Sequence, residues 1–423
     1  MNKFLYGIDF GTTNSAISIL NEHTGKIITT ITIPSLLYFP SELNQGATLN
    51  YFVGEKAIDA YLNDNMAGRF MKSVKRILPR SSFSETRIHS YKINASELVA
   101  FVLTELKTQA DQFIGSKCTK AVIGRPVNFD DDDVLKDELA QSRLLDAALR
   151  AGFTDIRFQY EPIGAAFAYE KTLKKKERVL VADLGGGTTD FTLIELNPEN
   201  ANQKDRRKDI LATGGIYIGG DSFDSSFMWE RGTPYFGRGV LYESMPGKMM
   251  ELPLFFFENI CSWEKMNFFN GSKIQNELRK YFIWSKKNNK LKDFLTLIEN
   301  NLGYSLFKTI EKTKIELSRS EKSGFVFNQS DINIDEMISL NSYNEIIHND
   351  VMKIENYLDS FFNKHNIKDN EIDSLFLTGG TSLVGEIRNL FSKRFPETSM
   401  KDGDTFVSVA KGLAYSGYLF SDS

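Results

Sequence analysis

The chain has 423 residues, 41% hydrophobic and 25% charged, the balance of a globular protein with more than one core. Its net charge of −4 argues against nucleic acid or an anionic membrane as the main partner, and two lone cysteines, Cys118 and Cys261, exclude a disulfide framework or a cysteine-built zinc site. No apolar stretch approaches the roughly 20 residues that cross a bilayer, and the N-terminus runs into a strand pattern without a leader, so a cytoplasmic protein with no membrane partner is expected.

In chain order, GIDFGTTNSAISIL (Gly7–Leu20) reads as a strand ending in Asp9, a Gly/Thr turn and a second strand. Residues 34–115 interrupt this pattern and read as an inserted subdomain, closing with a helix over Ala95–Phe113. A strand at Lys120–Gly124, a helix at Val134–Ala151, a strand at Ile156–Tyr160 and a helix at Pro162–Leu173 follow. The acidic run Asp130–Asp133 suits a helix start, where negative charge meets the positive end of the dipole. Lys174–Lys176 reads as a solvated loop. Then the opening plan returns, 174 residues on: VADLGGGTTDFTLIEL (Val181–Leu196) again ends a strand in a carboxylate, Asp183, and turns through Gly and Thr.

Residues 225–341 read as a second insert. Within it Phe227–Trp284 is crowded with Phe, Trp, Tyr and Met and shows no clean period, while Leu306–Leu317 reads as a helix. Helices at Tyr343–Phe362 and Leu383–Phe395, a strand at Ser374–Thr378 and a last helix at about 405–420, packed back toward the first half, complete the pattern. Alternating strands and helices predict an α/β fold in two related halves, 1–175 and 176–423, each with an inserted subdomain.

The turns carry chemistry. A Gly/Thr tip between two strands presents backbone N–H groups and hydroxyls to one point, and glycine lets a phosphate approach closely. Asp9 and Asp183 would repel that phosphate directly, whereas a hydrated magnesium ion between them removes the conflict. One such turn alone reads equally well as a plain hairpin, but two in one chain favour ATP with magnesium in a cleft between the halves. Both turns lead into strands, so neither is a Walker loop or a dinucleotide fingerprint.

GIDFGTTNS, AVIGRPVNF, YEPIGAAFAYE, VADLGGGTTDF, TGGIYIGGDSFD, IEKTKIELS and LFLTGGTS occur in that order. The set resembles the ATPase domain of the heat-shock-70 (DnaK-type) chaperones, in the actin–hexokinase superfamily, over nearly the whole chain. The resemblance implies a two-lobed actin-like ATPase fold of duplicated ribonuclease-H-like domains, with ATP or ADP, Mg²⁺ and K⁺ as ligands. It matches Asp9, Gly11, Thr12, Thr13 and Asn14 to the first phosphate loop and Gly185, Gly186, Gly187 and Thr188 to the second. Lys75 matches the catalytic lysine, Glu161 a carboxylate that places water, and Asp183 and Asp190 the carboxylates that hold magnesium waters and the attacking water. Gly219 and Gly220 match a turn beside the phosphates, Glu311, Lys314 and Ser318 the helix that meets ribose and adenine, and Gly379, Gly380 and Thr381 a second adenosine loop. Catalysis by positioning and charge neutralisation suits this set. Taken singly, Lys75 reads as a surface lysine, Glu161 as a helix-start acid, and Glu311 with Lys314 as an exposed ion pair.

Departures from the family pattern set the remaining expectations. The chain stops at Ser423, so it resembles truncated bacterial chaperone-like proteins without the peptide-binding domain. Leu383 stands where an arginine stacks on adenine, Val134 stands where an arginine follows the switch proline Pro126, with Arg143 as a substitute, Ser222 stands at an acidic position, and Asp404 is out of register. The aromatic insert 227–284 reads either as a larger local core or as a surface for a protein partner. The leading expectation is a monomeric, slow, chaperone-like ATPase switch. The alternatives are a sugar-type kinase of the same superfamily, with the second substrate in the cleft, and an actin-like filament protein.

Overall fold

A computed structural model describes residues 4–42, 49–64, 67–129, 133–170, 172–200, 203, 206–402 and 407–419. Asp404 lies outside them, as do the side chain of Trp263 and most of the acidic run ahead of Val134. The chain divides into two compact units: residues 1–217, 356–382 and 388–423, and residues 218–355 with 383–387.

The first unit opens with β1 (Phe4–Phe10), β2 (Asn14–Asn21) and β3 (Lys26–Pro34). Its insert holds β4 (Leu36–Phe39), β5 (Phe52–Val53), α1 (Glu55–Asn63), β6 (Arg69–Lys72), β7 (Glu85–Ile88), β8 (Tyr91–Asn94) and α2 (Ala95–Ile114). Then come β9 (Lys120–Arg125), α3 (Val134–Arg150), β10 (Asp155–Tyr160), α4 (Glu161–Glu170), β11 (Glu177–Leu184), β12 (Thr189–Leu196) and β13 (Ile210–Ile216). Both long helices start on side-chain caps. At α2, Asn94 accepts from the Glu97 N–H at 2.9 Å while Glu97 accepts from the Asn94 N–H at 2.8 Å. At α3, Asp133 accepts from the N–H of Leu135 and Lys136.

The second unit carries α5 (Gly220–Phe227), the hairpin β14 (Leu241–Met245) and β15 (Lys248–Glu251), α6 (Leu254–Ile260), α7 (Ser272–Trp284), α8 (Asn289–Glu299), α9 (Gly303–Leu317), and the hairpin β16 (Lys322–Gln329) and β17 (Ile332–Ser339). The chain returns to the first unit within α10 (Leu340–Lys364) and ends in β18 (Ser374–Thr378), α11 (Gly385–Arg394), β19 (Ser399–Asp402) and α12 (Ser408–Leu419).

The repeat read in the sequence is a repeat of topology. One five-stranded sheet runs β10-β9-β1-β2-β3 and the other β13-β12-β11-β18-β19. In each, the opening hairpin and its third strand pair antiparallel, and two later strands join the first strand's other edge in parallel. The central strands of such a sheet are covered on both faces and must be apolar throughout, which Val179–Ala182 satisfies, each at most 2% exposed. Residues of both sheets, among them Leu5, Val122, Val181 and Phe376, share one core with Ile163 of α4 and Leu413 of α12. α4 is therefore held along its length, and its first residue is Glu161.

Within the second unit most rings of the aromatic stretch are core. Phe236, Phe256, Phe257 and Phe269 are buried and each lies within 6.3 Å, centroid to centroid, of the Phe294 ring on α8. Phe268 and Trp284 remain exposed.

Candidate functional site

The two hairpin tips sit in the first unit, one at the end of β1 and one at the end of β11. Asp9 pairs across its hairpin with Ala16, and Asp183 lies opposite Asp190. Directly opposed residues have Cβ atoms about 5 Å apart, so the second hairpin places two carboxylates side by side. At its tip the Gly185 N–H donates to the Thr188 carbonyl at 2.9 Å, and the Thr188 hydroxyl donates to Asp190 Oδ2 at 2.9 Å. In the first tip, buried Ser35 donates to the Gly11 carbonyl at 2.8 Å and its N–H donates to the Thr13 carbonyl at 2.8 Å. The Thr13 hydroxyl is buried and has no hydrogen-bond partner, an orphan that a phosphate oxygen would satisfy.

Lys75 comes from the first insert, on a short turn over Val74–Ile77 entered through Ser73 in the left-handed region (φ 60°). Its ammonium donates to Glu161 Oε1 at 2.7 Å, with the two side chains only 14% and 12% exposed. Arg143, on α3, grips the backbone after Lys75: its guanidinium donates to the carbonyls of Leu78 (2.9 Å), Arg80 (3.0 Å) and Phe83 (2.9 Å). Arg76 crosses to the second hairpin tip and donates to the Gly187 carbonyl at 2.8 Å. A Cβ on Gly187 would fall 1.9 Å from Arg76 Nη2, so a side chain there would push the guanidinium from its present place. Thr381 braces the same loop, its hydroxyl donating to the Gly185 carbonyl at 2.8 Å. The preceding Gly379 has φ 82°, and a Cβ there would meet the Leu184 carbonyl at 2.3 Å and Asp183 Oδ1 at 2.9 Å.

Electrostatics tie these groups into one cluster. Asp9 is pushed up to about 8, first by burial, then by the charge of Glu161, with Lys75 opposing and Asp183 adding to the rise. Asp183 is pushed up to about 6 by burial and Glu161, again against Lys75. Asp190 is pushed up to about 7, first by burial and then by the charge of Asp183, with the hydrogen bond from Thr188 opposing. Burial pulls Lys75 down, but Glu161, Asp9 and Asp183 together hold it above its ordinary value. Four carboxylates around one ammonium are short of positive charge. Asp9 and Asp183 offer two carboxylates, a donor set that fits a cation keeping most of its own water shell, as Mg²⁺ does.

The rest of the expected site lies in the second unit, apart from Gly379, Gly380 and Thr381. The Gly219 N–H donates to Ser222 Oγ at 3.4 Å, so the serine found at the acidic position closes the start of α5. On α9, Glu311 pairs with Lys308 at 3.0 Å. Lys314 pairs with Asp224 at 2.8 Å, and Ser318 donates to the Ile315 carbonyl at 2.7 Å. Leu383 is exposed.

Sequence reasoning missed Arg76 and Ser35. Arg76 had one available signal, since a single turn of chain carries both it and Lys75. Ser35 had none, because its contacts to Gly11 and Thr13 follow from the pairing of β2 with β3.

The family profile described as "Hsp70 protein" matches residues 5–230 and 264–422. The chain is similar to the "Chaperone protein DnaK" of Thermosipho melanesiensis, 27% identical over 421 residues, covering 97% of this chain and 58% of that protein. It is also similar to the proteins of that name from Thermosipho africanus and Metamycoplasma hominis, each 32% identical over 229 residues, 52% of this chain and 34% of theirs. The chain thus spans less than two thirds of the length of these relatives.

Proposed function

This chain belongs to the Hsp70 family, and on that premise we propose that it binds Mg-ATP and hydrolyses it slowly to ADP and phosphate, acting as a nucleotide-driven chaperone-like switch. The observation that carries the reading is the cluster in which Asp9, Asp183 and Asp190 of two topologically equivalent hairpins meet Glu161 and Lys75. The phosphates would lie against Gly11–Asn14 and Gly185–Thr188, with the orphan Thr13 hydroxyl donating to one of them. Asp9 and Asp183 would hold magnesium through water, and the bound ion would supply the positive charge the cluster lacks.

Lys75 faces the terminal phosphate and offsets the charge that grows as the bond to the leaving ADP oxygen lengthens. Glu161 and Asp190 orient a water for in-line attack, and the proton it sheds passes to one of these carboxylates. Thr188, fixed by its bond to Asp190, aligns the same water. K⁺ as a further ligand, adenosine contacts from Gly219, Gly220, Glu311, Lys314, Ser318, Gly379, Gly380 and Thr381, and the division into lobes at 175/176 belong to this proposal on the family resemblance. So does a cytoplasmic site of action, with both described cysteines unpaired and no described helix long and apolar enough to cross a membrane. A protein partner, met through the second insert, is its output.

Phosphate release from Mg-ATP with no added acceptor tests the reading. Steady release that Lys75→Ala lowers by about 100-fold or more supports it. Release that depends on an added sugar, with the sugar recovered phosphorylated, overturns it in favour of a kinase.

A further inference from the structure

The turn over Val74–Ile77 carries a second cation. Its backbone is fixed along its length: the Arg76 N–H donates to the Ser73 carbonyl at 3.0 Å, Val74 and Leu78 are buried, and Arg143 holds the carbonyls of Leu78 and Arg80. Ser73 enters it in the left-handed region at φ 60°, a conformation that strains a non-glycine residue and that concentrates at ligand-binding segments. Neighbouring residues on a 3₁₀ turn point about 120° apart, so Lys75 and Arg76 leave the turn on different sides. Lys75 goes to Glu161. Arg76 goes to the second hairpin tip.

There the guanidinium fills the space that a side chain at Gly187 would need. A Cβ on that glycine would lie 1.9 Å from Nη2, 2.6 Å from Cζ and 3.1 Å from Nε. Nη2 is used on the Gly187 carbonyl, but Nε is buried and has no hydrogen-bond partner. Among the described residues no carboxylate pairs with this guanidinium. A brace on one carbonyl does not account for that arrangement, because a buried N–H without an acceptor loses its hydration and gains nothing, and a charge without a counter-charge adds to the cost. The same tip offers the N–H groups of Gly186 and Gly187, which donate to nothing among the described residues. A guanidinium and open backbone N–H groups at one glycine turn suit an anion with several oxygens. Thr188 follows directly, its hydroxyl bonded to Asp190, so this anion belongs at the end of the nucleotide where water attacks.

We propose that Arg76 binds the terminal phosphate of the nucleotide, its Nε–H and an Nη–H donating to phosphate oxygens, and so distinguishes ATP from ADP. This rests on the reading of Gly185–Thr188 as a phosphate loop. ADP, one phosphate shorter, leaves the Nε–H as it stands in the free protein. Titration calorimetry of the full chain with magnesium ADP, and with the magnesium β,γ-imido analogue of ATP that resists hydrolysis, tests the assignment. Arg76→Met should weaken binding of the imido analogue about 10- to 100-fold, the loss of one or two charge-assisted hydrogen bonds, and binding of ADP by less than about threefold. Arg76→Lys keeps the charge without the planar fork and should fall between wild type and Arg76→Met. Melting temperatures within about 2 °C of wild type show that the variants are folded, and Arg76→Lys carries the test alone if Arg76→Met unfolds.

Equal weakening of both nucleotides would make Arg76 a brace of the hairpin tip and overturn the proposal, as would unchanged binding of both. Inorganic phosphate titrated into the ADP complex is the remaining arm. If the variants weaken that binding and leave the imido analogue untouched, Arg76 holds released phosphate and the proposal falls. A wild type that binds neither nucleotide would sink the ATP reading itself, and the role of Arg76 with it.

Discussion

Replacing Asp9 with asparagine should stabilise the ligand-free protein and remove its response to magnesium nucleotide. Burial and the charge of Glu161 push the Asp9 carboxyl up to about 8, despite Lys75, while in an unfolded chain it sits near ~3.9. At about 1.36 kcal/mol per pH unit, the raised value of Asp9 costs the folded state at most about 5 kcal/mol at pH 7.5 relative to the unfolded chain, where the carboxyl is ionised in water. Asparagine avoids the charge but still needs hydrogen-bond partners in the same pocket, so the net gain is about 1–2 kcal/mol. Differential scanning fluorimetry without metal should show a rise of a few degrees. With Mg-ADP the wild type should rise further and Asp9→Asn should not, since it would lack one of the two carboxylates proposed to hold the metal's water. Asp9→Asn melting below wild type without ligand, or keeping the full Mg-ADP shift, would refute the picture of a cluster strained by excess negative charge.

The same cluster sets a pH dependence. Asp9 and Asp183 have folded values above their unfolded ones, so neither lowers stability below about pH 4, and both erode it as pH rises toward 6 and 8. Ligand-free melting temperature should therefore fall between pH 5 and 8 relative to an Asp9→Asn/Asp183→Asn control, and the stabilisation by Mg-ADP should grow over the same interval. Arg143→Lys removes most of the bonds to the carbonyls of Leu78, Arg80 and Phe83, costing about 1–3 kcal/mol. Hydrogen exchange should quicken in residues 74–83 and turnover should fall, whereas unchanged exchange there would deny Arg143 its hold on Lys75. On α4, Glu170 and Arg206 form a buried bidentate pair, with Nη2 to Oε1 at 2.6 Å and both side chains at most 2% exposed. Arg206 also pairs with Asp209, so Arg206→Met alone should cost about 3–5 kcal/mol by stranding two carboxylates, and adding Glu170→Leu and Asp209→Asn should recover most of it in denaturant titration.

How far the sequence disclosed this site depended on whether the signal was local. The hairpins at Asp9 and Asp183 were readable because an alternating strand, a Gly/Thr tip and a second strand are all contiguous. Helices such as Ala95–Ile114 were readable within a residue or two because a capping box and an apolar stripe mark them. Arg76, Ser35 and the grip of Arg143 were not, since each acts on backbone that pairing between distant segments brings to it. The second insert resisted for a different reason. Its rings pack around Phe294 from several directions, and its pieces are as short as Leu254–Ile260, so no helical or strand period accumulates. There the aromatic stretch divided unevenly between the two readings: most rings are core, while Trp284 and Phe268 stay exposed. Lys314 shows where motif matching stops, because its ion pair with Asp224 depends on the packing of α9 beside α5.

Titration calorimetry of ATP into the protein, with magnesium and then with EDTA, tests the central claim most directly. Two Gly/Thr hairpin tips and a cluster short of positive charge predict one saturable site at micromolar affinity or tighter, about −8 kcal/mol, weakened at least about tenfold when magnesium is removed. Absence of binding at millimolar Mg-ATP, or equal affinity with and without the metal, would contradict it.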